Sequence, residues 1–224
     1  MYLVIPTLLN DSEQLQIKEL LNTATFTSGK ITATGAALKV KNNEQLDREA
    51  YHTKAINQVL EKALMTSPIF RESTQPKSIL PFLISRYYTN MEYGWHVDSP
   101  LMAVDQNIIR VDLSITIFLN AASEYEGGEL EIETPGGLKT FKLNVGDAVI
   151  YPTTQLHRVK PVTDGVRMVA VSWIQSMIKS TEQRDLLFQL KSLQELLNQQ
   201  QQGSSLHLLS QQVYSNLLRM FTDL

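Results

Sequence analysis

The chain has 224 residues and no cysteine. The missing thiols exclude disulfides, zinc–thiolate sites and cysteine nucleophiles, and they fit a reducing compartment. No apolar run approaches the ~18 residues that a membrane-spanning helix needs. The first residues, MYLVIPTLLNDSEQ, carry neither a basic leader nor a small-residue cleavage site. We therefore expect a cytoplasmic protein without a membrane segment.

A dominant charge is also missing, because 20 basic and 23 acidic residues give a net charge of −3. Without a basic block, nucleic acid is not an expected partner. Histidine is scarce, at four residues. His52 and His207 fall in predicted helices, and we interpret both as ordinary surface or partly buried helix residues. His96 and His157 remain as candidates for chemistry.

The spacing of leucine and isoleucine predicts helices towards both ends of the chain. One is expected over residues 11–24 with Ser12 as its N-cap, and a second over residues 50–70 with a stop before Pro68. Further downstream, two leucine stripes separated at Gly203 predict a C-terminal helical pair. This pair is expected either to pack on the rest of the chain or to form a homo-oligomer interface.

The middle of the chain consists of short runs rich in β-branched and aromatic residues, such as FLISRYY, VDLSITIFL, DAVIYP and RMVAVSWI. The segments EGG, TPGG, NVGD and TDG separate the runs and are typical of turns. Many short strands without intervening helices predict an antiparallel sandwich or barrel. We expect an N-terminal flank over residues 1–79, a β core over residues 80–178 and a helical extension over residues 179–224.

A candidate metal site lies in the stretch YTNMEYGWHVDSP, where His96 and Asp98 are two positions apart. On a strand, such side chains project to the same face and can reach one ion. If the fold adds His157, two imidazoles and one carboxylate occupy one face of an octahedron and leave three positions open. Non-haem Fe(II) oxygenases favour this arrangement. A zinc hydrolase with a bound water can use the same ligands, so the triad alone does not fix the reaction.

Arg167 begins the apolar run RMVAVSWI, ten residues after His157. A guanidinium there needs a partner, because burying an unpaired charge is costly, and a carboxylate matches its planar fork. That carboxylate belongs either to a cosubstrate or to an aspartate or glutamate of the chain. We expect a three-residue hairpin loop, residues 163–165, with Gly165 in the left-handed conformation. This register places His157 and Arg167 on one face, roughly 13 Å apart.

Several segments together resemble the bacterial PKHD-type hydroxylases, which are Fe(II)- and 2-oxoglutarate-dependent dioxygenases related to prolyl 4-hydroxylases. The segments are RYYTNMEYGWHVDSP, DLSITIFLN, YEGGELEIE and GDAVIYPTTQLHRVKPVTDGVRMVAVSWIQSM. IPTLLNDSE, KVKNNEQL and the C-terminal tail are also similar, so the resemblance covers most of the chain. It implies an α+β fold, with a double-stranded β-helix (jelly roll) core, N-terminal flanking helices and a C-terminal helical pair.

The resemblance also implies roles for individual residues. His96, Asp98 and His157 would hold Fe(II), and Arg167 would bind the distal carboxylate of 2-oxoglutarate. Tyr87 would contact the cosubstrate, although it can equally be a core aromatic.

Other residues near these motifs have no assigned role. Tyr93 lies three positions before His96. Ser114 and Thr116 share one strand face and either line the pocket or are half-solvated. Residues 39–46 either shape the pocket entrance or form a solvated loop.

The implied cofactors are Fe(II), 2-oxoglutarate and O₂, with L-ascorbate as a reductant. The implied reaction hydroxylates an unidentified substrate and releases succinate and CO₂. A peptidyl proline or lysine, a free amino acid and an iron-chelating metabolite all remain open as substrates. A zinc hydrolase and a non-catalytic sensor of iron or 2-oxoglutarate are the alternatives.

Overall fold

The computed structural model describes residues 2–33, 35–104 and 106–223. Within them lie six α-helices and seventeen β-strands. The helices are α1 Asp11–Asn22, α2 Gly35–Val40, α3 Tyr51–Thr66, α4 Pro68–Thr74, α5 Thr181–Gln201 and α6 Ser205–Phe221. The strands are β1 Leu3–Ile5, β2 Phe26–Ser28, β3 Lys41–Asn42, β4 Glu44–Leu46, β5 Pro76–Ile79, β6 Leu83–Tyr87, β7 Glu92–His96, β8 Leu101–Val104, β9 Asn107–Arg110, β10 Leu113–Phe118, β11 Tyr125–Gly127, β12 Leu130–Thr134, β13 Gly137–Phe141, β14 Ala148–Pro152, β15 His157–Val159, β16 Val162–Gly165 and β17 Arg167–Ser176.

The strands form a jelly roll of two main antiparallel sheets, as the resemblance implied. The large sheet has the order β1-β14-β10-β17-β6-β4-β2, and β5 also pairs with β17. The small sheet has the order β13-β12-β15-β7-β3. Two short pairs, β8 with β9 and β11 with β16, complete the strands. The segment before residue 80 therefore supplies strands to both sheets, while the proposed boundaries at 79/80 and 178/179 stay predictions.

Two hydrophobic cores cover the two faces of the large sheet. The outer core joins Ile115 and Ile117 of β10 to helices α1 and α3, whose apolar faces include Ile17 and Leu60. The inner core lies between the sheets and joins β6, β10, β14 and β17 to β12, β15 and β16. Because alternate residues of a strand face opposite sides, the run LSITIF is buried along its whole length. Ser114 and Thr116 thus point away from the helices and towards the space between the sheets.

The N-terminal helices follow the sequence prediction, with one correction at a cap. Asn10, and not Ser12, caps α1: its side chain accepts from the Glu13 amide, and the Glu13 carboxylate accepts from the Asn10 amide. This reciprocal pair satisfies two backbone donors that a helix start otherwise leaves free. The second predicted helix ends at Thr66, and α4 begins at Pro68, where proline fits the first helical turn.

The predicted hairpin between His157 and Arg167 is wrong. β15 pairs with β12 and β7, whereas β17 pairs with β10, β6 and β5, so the chain crosses from one sheet to the other. Gly165 does have a positive φ, of 73°, but for a different reason. A Cβ on Gly165 would lie 2.2 Å from the Glu124 carbonyl oxygen, so glycine permits the close pairing of β16 with β11.

The C-terminal helical pair is confirmed. Helices α5 and α6 form a hairpin in which the Gln194 side-chain amide donates to the Ser210 carbonyl at 2.8 Å. Gly203, with φ of 76°, lies between the two helices. Helix α5 packs on α4 and buries Leu187 completely. None of the helices in the described ranges is both long enough and apolar enough to cross a membrane.

Candidate active site

A cavity of ≈ 490 Å³ opens between the two sheets. It brings together His96, Asp98, His157 and Arg167, which the sequence analysis singled out, and Tyr87 also lines it. The first three come from the small sheet or the loop after it, whereas Arg167 comes from the large sheet. The four functional side chains therefore meet only because the sheets face each other.

His96 and His157 are direct partners across β7 and β15. Their ring centroids are 4.2 Å apart, and both residues are less than a tenth exposed. One ligand atom from each histidine and one from Asp98 all lie within 4.8 Å of one another. This donor set suits a divalent transition metal, which imidazole and carboxylate ligands can hold on one face. His52 and His207 do not belong to this cluster.

The two imidazoles share an orientation that leaves Nε2 free. His96 Nδ1 lies 2.8 Å from the Gly94 carbonyl oxygen, and His157 Nδ1 lies 3.0 Å from the Gln155 carbonyl oxygen. A carbonyl can only accept, so each Nδ1 carries the proton and donates it. The Nε2 lone pairs then point into the cluster, which is the arrangement that backbone partners commonly impose on metal-binding histidines.

Asp98 is held by a neighbouring hydroxyl. Ser114 Oγ donates to Asp98 Oδ2 at 2.6 Å, and the same Oδ2 lies 3.7 Å from His157 Nε2. The latter distance is too long for a hydrogen bond but short enough for two ligands of one ion. Ser114 is fully buried, so it was not half-solvated, and Thr116 lines the cavity beside it.

Burial controls the charge of the site. Burial, with a further contribution from the neighbouring His157, lowers the pKa of His96 to about 4. The neutral imidazole, which is the form that binds metals, is therefore the stable form at neutral pH. Burial raises the pKa of Tyr151 well above its usual value, and the Asp98 carboxylate adds to this effect. Tyr93 stacks on His96 with 3.6 Å between ring centroids and an angle of 14°.

Arg167 is buried without an anionic partner. It is 1% exposed, and its Nε and Nη1 make no hydrogen bond with any described residue. The internal salt bridge that was one of two expectations is thus absent from the described part of the chain. The guanidinium instead lies 5.1 Å from the ring centroid of Tyr87 and 5.7 Å from that of Phe118. Donors left unpaired in a buried site are costly, and a ligand carboxylate would satisfy them.

Tyr87 is a core aromatic that also lines the cavity, while its contact with a cosubstrate stays a prediction. It pairs directly with Arg167 across β6 and β17, belongs to the inner core and also lines the cavity. Burial raises its pKa, while the Arg167 charge acts in the opposite direction. Its hydroxyl therefore stays protonated near neutral pH and can donate to a ligand beside Arg167.

Sequence reasoning missed two residues behind the guanidinium. The Tyr125 hydroxyl has no partner at direct hydrogen-bond distance in the described part, yet it lies close enough to the Arg167 guanidinium for that group to lower its pKa against the larger, raising effect of burial. Gly128 has φ of 65°, and a Cβ there would lie 2.9 Å from Arg167 Cδ. The pair of glycines in YEGGELEIE was the available signal, but it was interpreted only as a turn.

Sequence reasoning also missed the polar wall of the cavity. Lys41, Asn43 and Gln45 are each less than a tenth exposed and line the cavity. They alternate along the segment KVKNNEQL, which confirms the pocket interpretation of residues 39–46 over the solvated loop. Strand periodicity was the available signal, but the segment is too short to identify as a strand without its partners.

The comparisons with known proteins agree with this geometry. Residues 82–175 match the 2OG-Fe(II) oxygenase superfamily. A PKHD-type hydroxylase of Synechococcus sp. (strain JA-2-3B'a(2-13)) is 39% identical over 225 residues, covering 100% of both chains. A PKHD-type hydroxylase of Thermosynechococcus vestitus is 40% identical over 224 residues, again covering 100% of both chains.

Solved structures share the fold at low identity. A Pseudomonas putida prolyl-4-hydroxylase superimposes with a TM-score of 0.54 at 14% identity, covering 78% of this chain and 92% of that one. A Trichoplax adhaerens prolyl hydroxylase, solved with a peptide fragment of the hypoxia inducible factor oxygen degradation domain, gives 0.59 at 14% identity. That match covers 83% of this chain and 86% of the other.

Proposed function

Since the chain belongs to the PKHD-type hydroxylases of the 2OG-Fe(II) oxygenase superfamily, we propose a specific use for each side chain of the cavity. The enzyme is a 2-oxoglutarate-dependent dioxygenase. His96, Asp98 and His157 hold Fe(II), and Arg167 binds the distal carboxylate of 2-oxoglutarate. Tyr87 contacts the same cosubstrate through its hydroxyl.

The observation that carries this proposal is the buried guanidinium in the same cavity as the histidine–aspartate cluster. A zinc hydrolase needs three ligands and a bound water, and it gives no reason to bury Arg167 with unpaired donors. A dicarboxylate that also binds the metal does give a reason to bury Arg167, because its second carboxylate can accept hydrogen bonds from the guanidinium. A sensor would also use this anchor, so turnover is the measurement that separates an enzyme from a sensor.

Bound Fe(II), with 2-oxoglutarate and O₂, supplies the oxidation that places one oxygen atom in the product hydroxyl and the other in succinate, with release of CO₂. The chain's own residues prepare the site. The Nδ1 protons of His96 and His157 fix both rings through backbone carbonyls, and Ser114 fixes the orientation of Asp98. The buried aromatic side chains around Arg167 exclude water, which strengthens the electrostatic attraction of the guanidinium for an anion.

The test is formation of succinate from 2-oxoglutarate by protein with Fe(II) in air. We expect turnover in wild type, either uncoupled or stimulated by a substrate mixture, and none in His157→Ala. His52→Ala is the matched control, because His52 lies outside the cluster, with its ring hydrogen-bonded to Thr23 and edge-on to Tyr51. Absence of turnover in wild type that nonetheless binds Fe(II) and 2-oxoglutarate would favour the sensor. Ester or amide hydrolysis restored by zinc would favour the hydrolase.

The substrate proposed for this reaction is a small molecule or a peptidyl residue, with proline or lysine as the first candidates. Two structurally similar proteins, from Pseudomonas putida and Trichoplax adhaerens, are prolyl hydroxylases and support proline. A screen of prolyl and lysyl peptides for stimulated succinate release tests it. L-Ascorbate is proposed as the reductant that sustains turnover, and its omission should shorten the linear phase of succinate formation. A cytoplasmic location is also proposed, because a chain without cysteine needs no oxidising compartment.

A homo-oligomer is proposed through the C-terminal helices. Leu206, Leu209, Val213 and Met220 follow helical spacing on α6 and are each more than 40% exposed. An apolar stripe on a helix favours burial against another helix, and a second copy offers the same stripe. Light scattering should give a mass above one chain in wild type and one chain in Leu209→Glu. A wild-type mass of one chain would refute the interface.

A further inference from the structure

The cavity has a second cationic side chain besides Arg167. Lys41 is 4% exposed and belongs to β3 at the edge of the small sheet, where it pairs with Tyr93. Its Nζ donates to Thr32 Oγ1 at 2.8 Å and lies 5.2 Å from the Tyr93 ring centroid. Tyr93 in turn stacks on His96, so Lys41 lies next to the metal-binding cluster.

The Lys41 ammonium has no anionic partner. Among residues 2–33, 35–104 and 106–223, no carboxylate forms an ion pair with it, and Thr32 Oγ1 is its one hydrogen-bond acceptor. That hydroxyl is already committed, because it donates to Gln45 Oε1 at 2.6 Å. An ammonium has three donors, so two remain free to face the cavity.

The surroundings of Lys41 increase the free-energy cost of its unpaired positive charge. Burial lowers the pKa of Lys41 to about 8, and the positive charge of Arg48 acts in the same direction; the Asp98 carboxylate, which forms no ion pair with Lys41, raises the pKa by a smaller amount. A buried cation beside a second cation destabilises the empty site and gains from any anion that enters.

Asn43 provides a second free polar group on the same wall. It is 4% exposed, and its Nδ2 and Oδ1 have no partner at direct hydrogen-bond distance in the described part of the chain, although the amide lies close enough to the Tyr87 hydroxyl to lower the pKa of that group. Gly29 leaves room for it, since a Cβ there would lie 2.0 Å from Asn43 Oδ1. An unpartnered amide in a cavity offers one donor and one acceptor to a ligand.

Apolar side chains also line the cavity. Trp95, Met102, Ala36 and Ala37 line the cavity, and Trp95 is 41% exposed. The cavity therefore presents an apolar surface beside the polar wall that carries the Lys41 ammonium and the Asn43 amide. Ligand sites commonly have this composition, in which a few polar groups fix the orientation of an apolar body.

We propose that Lys41 binds a carboxylate of the primary substrate, and that Asn43 hydrogen-bonds the same molecule. The inference deepens the proposed dioxygenase function and rests on it, because only an enzyme of this kind has a primary substrate to bind. Both a free carboxylic acid and a peptide with an acidic side chain offer this group. An uncharged substrate would leave the Lys41 ammonium buried without an anion.

2-Oxoglutarate accounts for Arg167 but leaves Lys41 unexplained, because its distal carboxylate would bind Arg167 and its other carboxylate would bind the metal. Arg167 lies on β17 of the large sheet, paired with Tyr87, whereas Lys41 lies on β3 at the edge of the small sheet. The arginine is among inner-core aromatics, and the lysine belongs to the polar wall of the cavity. The two cations thus define two anion positions, one for the cosubstrate and one for the substrate.

The experiment compares acids with their neutral partners by calorimetry under nitrogen, on protein loaded with Fe(II) and 2-oxoglutarate. The panel has three pairs: N-acetyl-L-proline and its amide, 3-phenylpropanoate and its amide, and an acetylated Ala-Pro-Glu-Ala amide with its Glu-to-Gln analogue. The variants are Lys41→Met, Lys41→Arg and the matched control Lys39→Met, which removes an exposed lysine two positions away. Thermal unfolding of each variant checks that it is folded.

We expect at least one acid to bind wild type tenfold or more tightly than its neutral partner, as for a buried charge-assisted contact. The preference should fall below threefold in Lys41→Met and persist in Lys41→Arg and Lys39→Met. The pair that shows it assigns the source of the carboxylate, a free acid or an acidic peptide.

The proposal is overturned if no acid reaches tenfold over its partner in wild type, or if Lys41→Met keeps a preference above threefold. Loss of the preference in Lys39→Met would also overturn it, since bulk charge would then be the cause. The same titrations on metal-free protein show whether the acid preference depends on the metal, and succinate formation is measured separately as the readout of the proposed function. An acid preference without any succinate formation refutes the dioxygenase function alone, and succinate formation without an acid preference refutes only the role of Lys41.

Discussion

Replacing Arg167 with methionine removes the guanidinium from the inner core and leaves an apolar side chain of similar length. Nε and Nη1 have no hydrogen bond in the described part of the chain, so apart from the contacts of the guanidinium with the Tyr87 and Phe118 rings, the affected contact is the one made with a ligand. Removing one member of a buried, hydrogen-bonded charge pair costs about 2–5 kcal/mol. The dissociation constant of 2-oxoglutarate should therefore rise between roughly 30-fold and several thousand-fold. Metal affinity should not change, because Arg167 is outside the ligand cluster.

Calorimetric titration of 2-oxoglutarate into Fe(II)-loaded protein without oxygen measures this change, and a separate metal titration checks the cluster. Arg167→Lys should bind with intermediate affinity, because lysine keeps the charge and loses the fork. Arg71→Met, which removes an exposed arginine of α4, is the control.

Stability gives a second readout for the same variant. A buried cation without an anion destabilises the ligand-free protein, so Arg167→Met should unfold at the same temperature as wild type or a higher one. Unchanged 2-oxoglutarate affinity would remove Arg167 from the site. A strong loss of ligand-free stability would show that the guanidinium serves the core and not a ligand.

Three further changes test the supports of the site. Ser114→Ala should weaken metal binding by about 10- to 100-fold at unchanged stability, because it frees the carboxylate ligand; a metal titration that matches wild type would refute this role. Gly128→Ala should weaken 2-oxoglutarate binding and cost about 1–3 kcal/mol of unfolding free energy, since its Cβ would press on Arg167 at a positive φ. Gly136→Ala, where only one atom lies within 4 Å, is its control, and equal effects of the two would contradict the reason given. Removing the metal with a chelator should lower the unfolding free energy by about 2.7 kcal/mol relative to metal at a hundred times its dissociation constant, and His157→Ala should abolish the difference.

Local patterns predicted the parts of the fold that local interactions determine. The leucine stripes predicted α1, α3, α5 and α6, because one helix face must be apolar wherever the helix packs. The i, i+2 spacing placed His96 and Asp98 together, because both residues belong to one short segment. The left-handed conformation of Gly165 was also predicted correctly, although the hairpin around it was not.

Long-range pairing determines the rest, and short segments do not encode it. The glycine of TDG fits a hairpin and a close approach to Glu124 equally well, and only the partner strand distinguishes them. The register of β3 against β7 is set by two residue pairs, so β3 is too short for its sequence periodicity to predict that Lys41 faces the cavity. Tyr125 and Gly128 matter because they lie beside Arg167 in the fold, and Arg167 is 39 or more residues away from them in the chain.

Because the chain crosses from one sheet to the other between β15 and β17, a bound cosubstrate would link the two sheets. The imidazoles are anchored in one layer of the sandwich and the guanidinium in the other. The proposed cosubstrate would contact the metal ligands of one sheet at one end and Arg167 of the other sheet at its other end. Its binding should therefore reduce the motion of the two sheets relative to each other. Amide hydrogen exchange in the facing strands would then slow together, including at positions that no ligand atom touches.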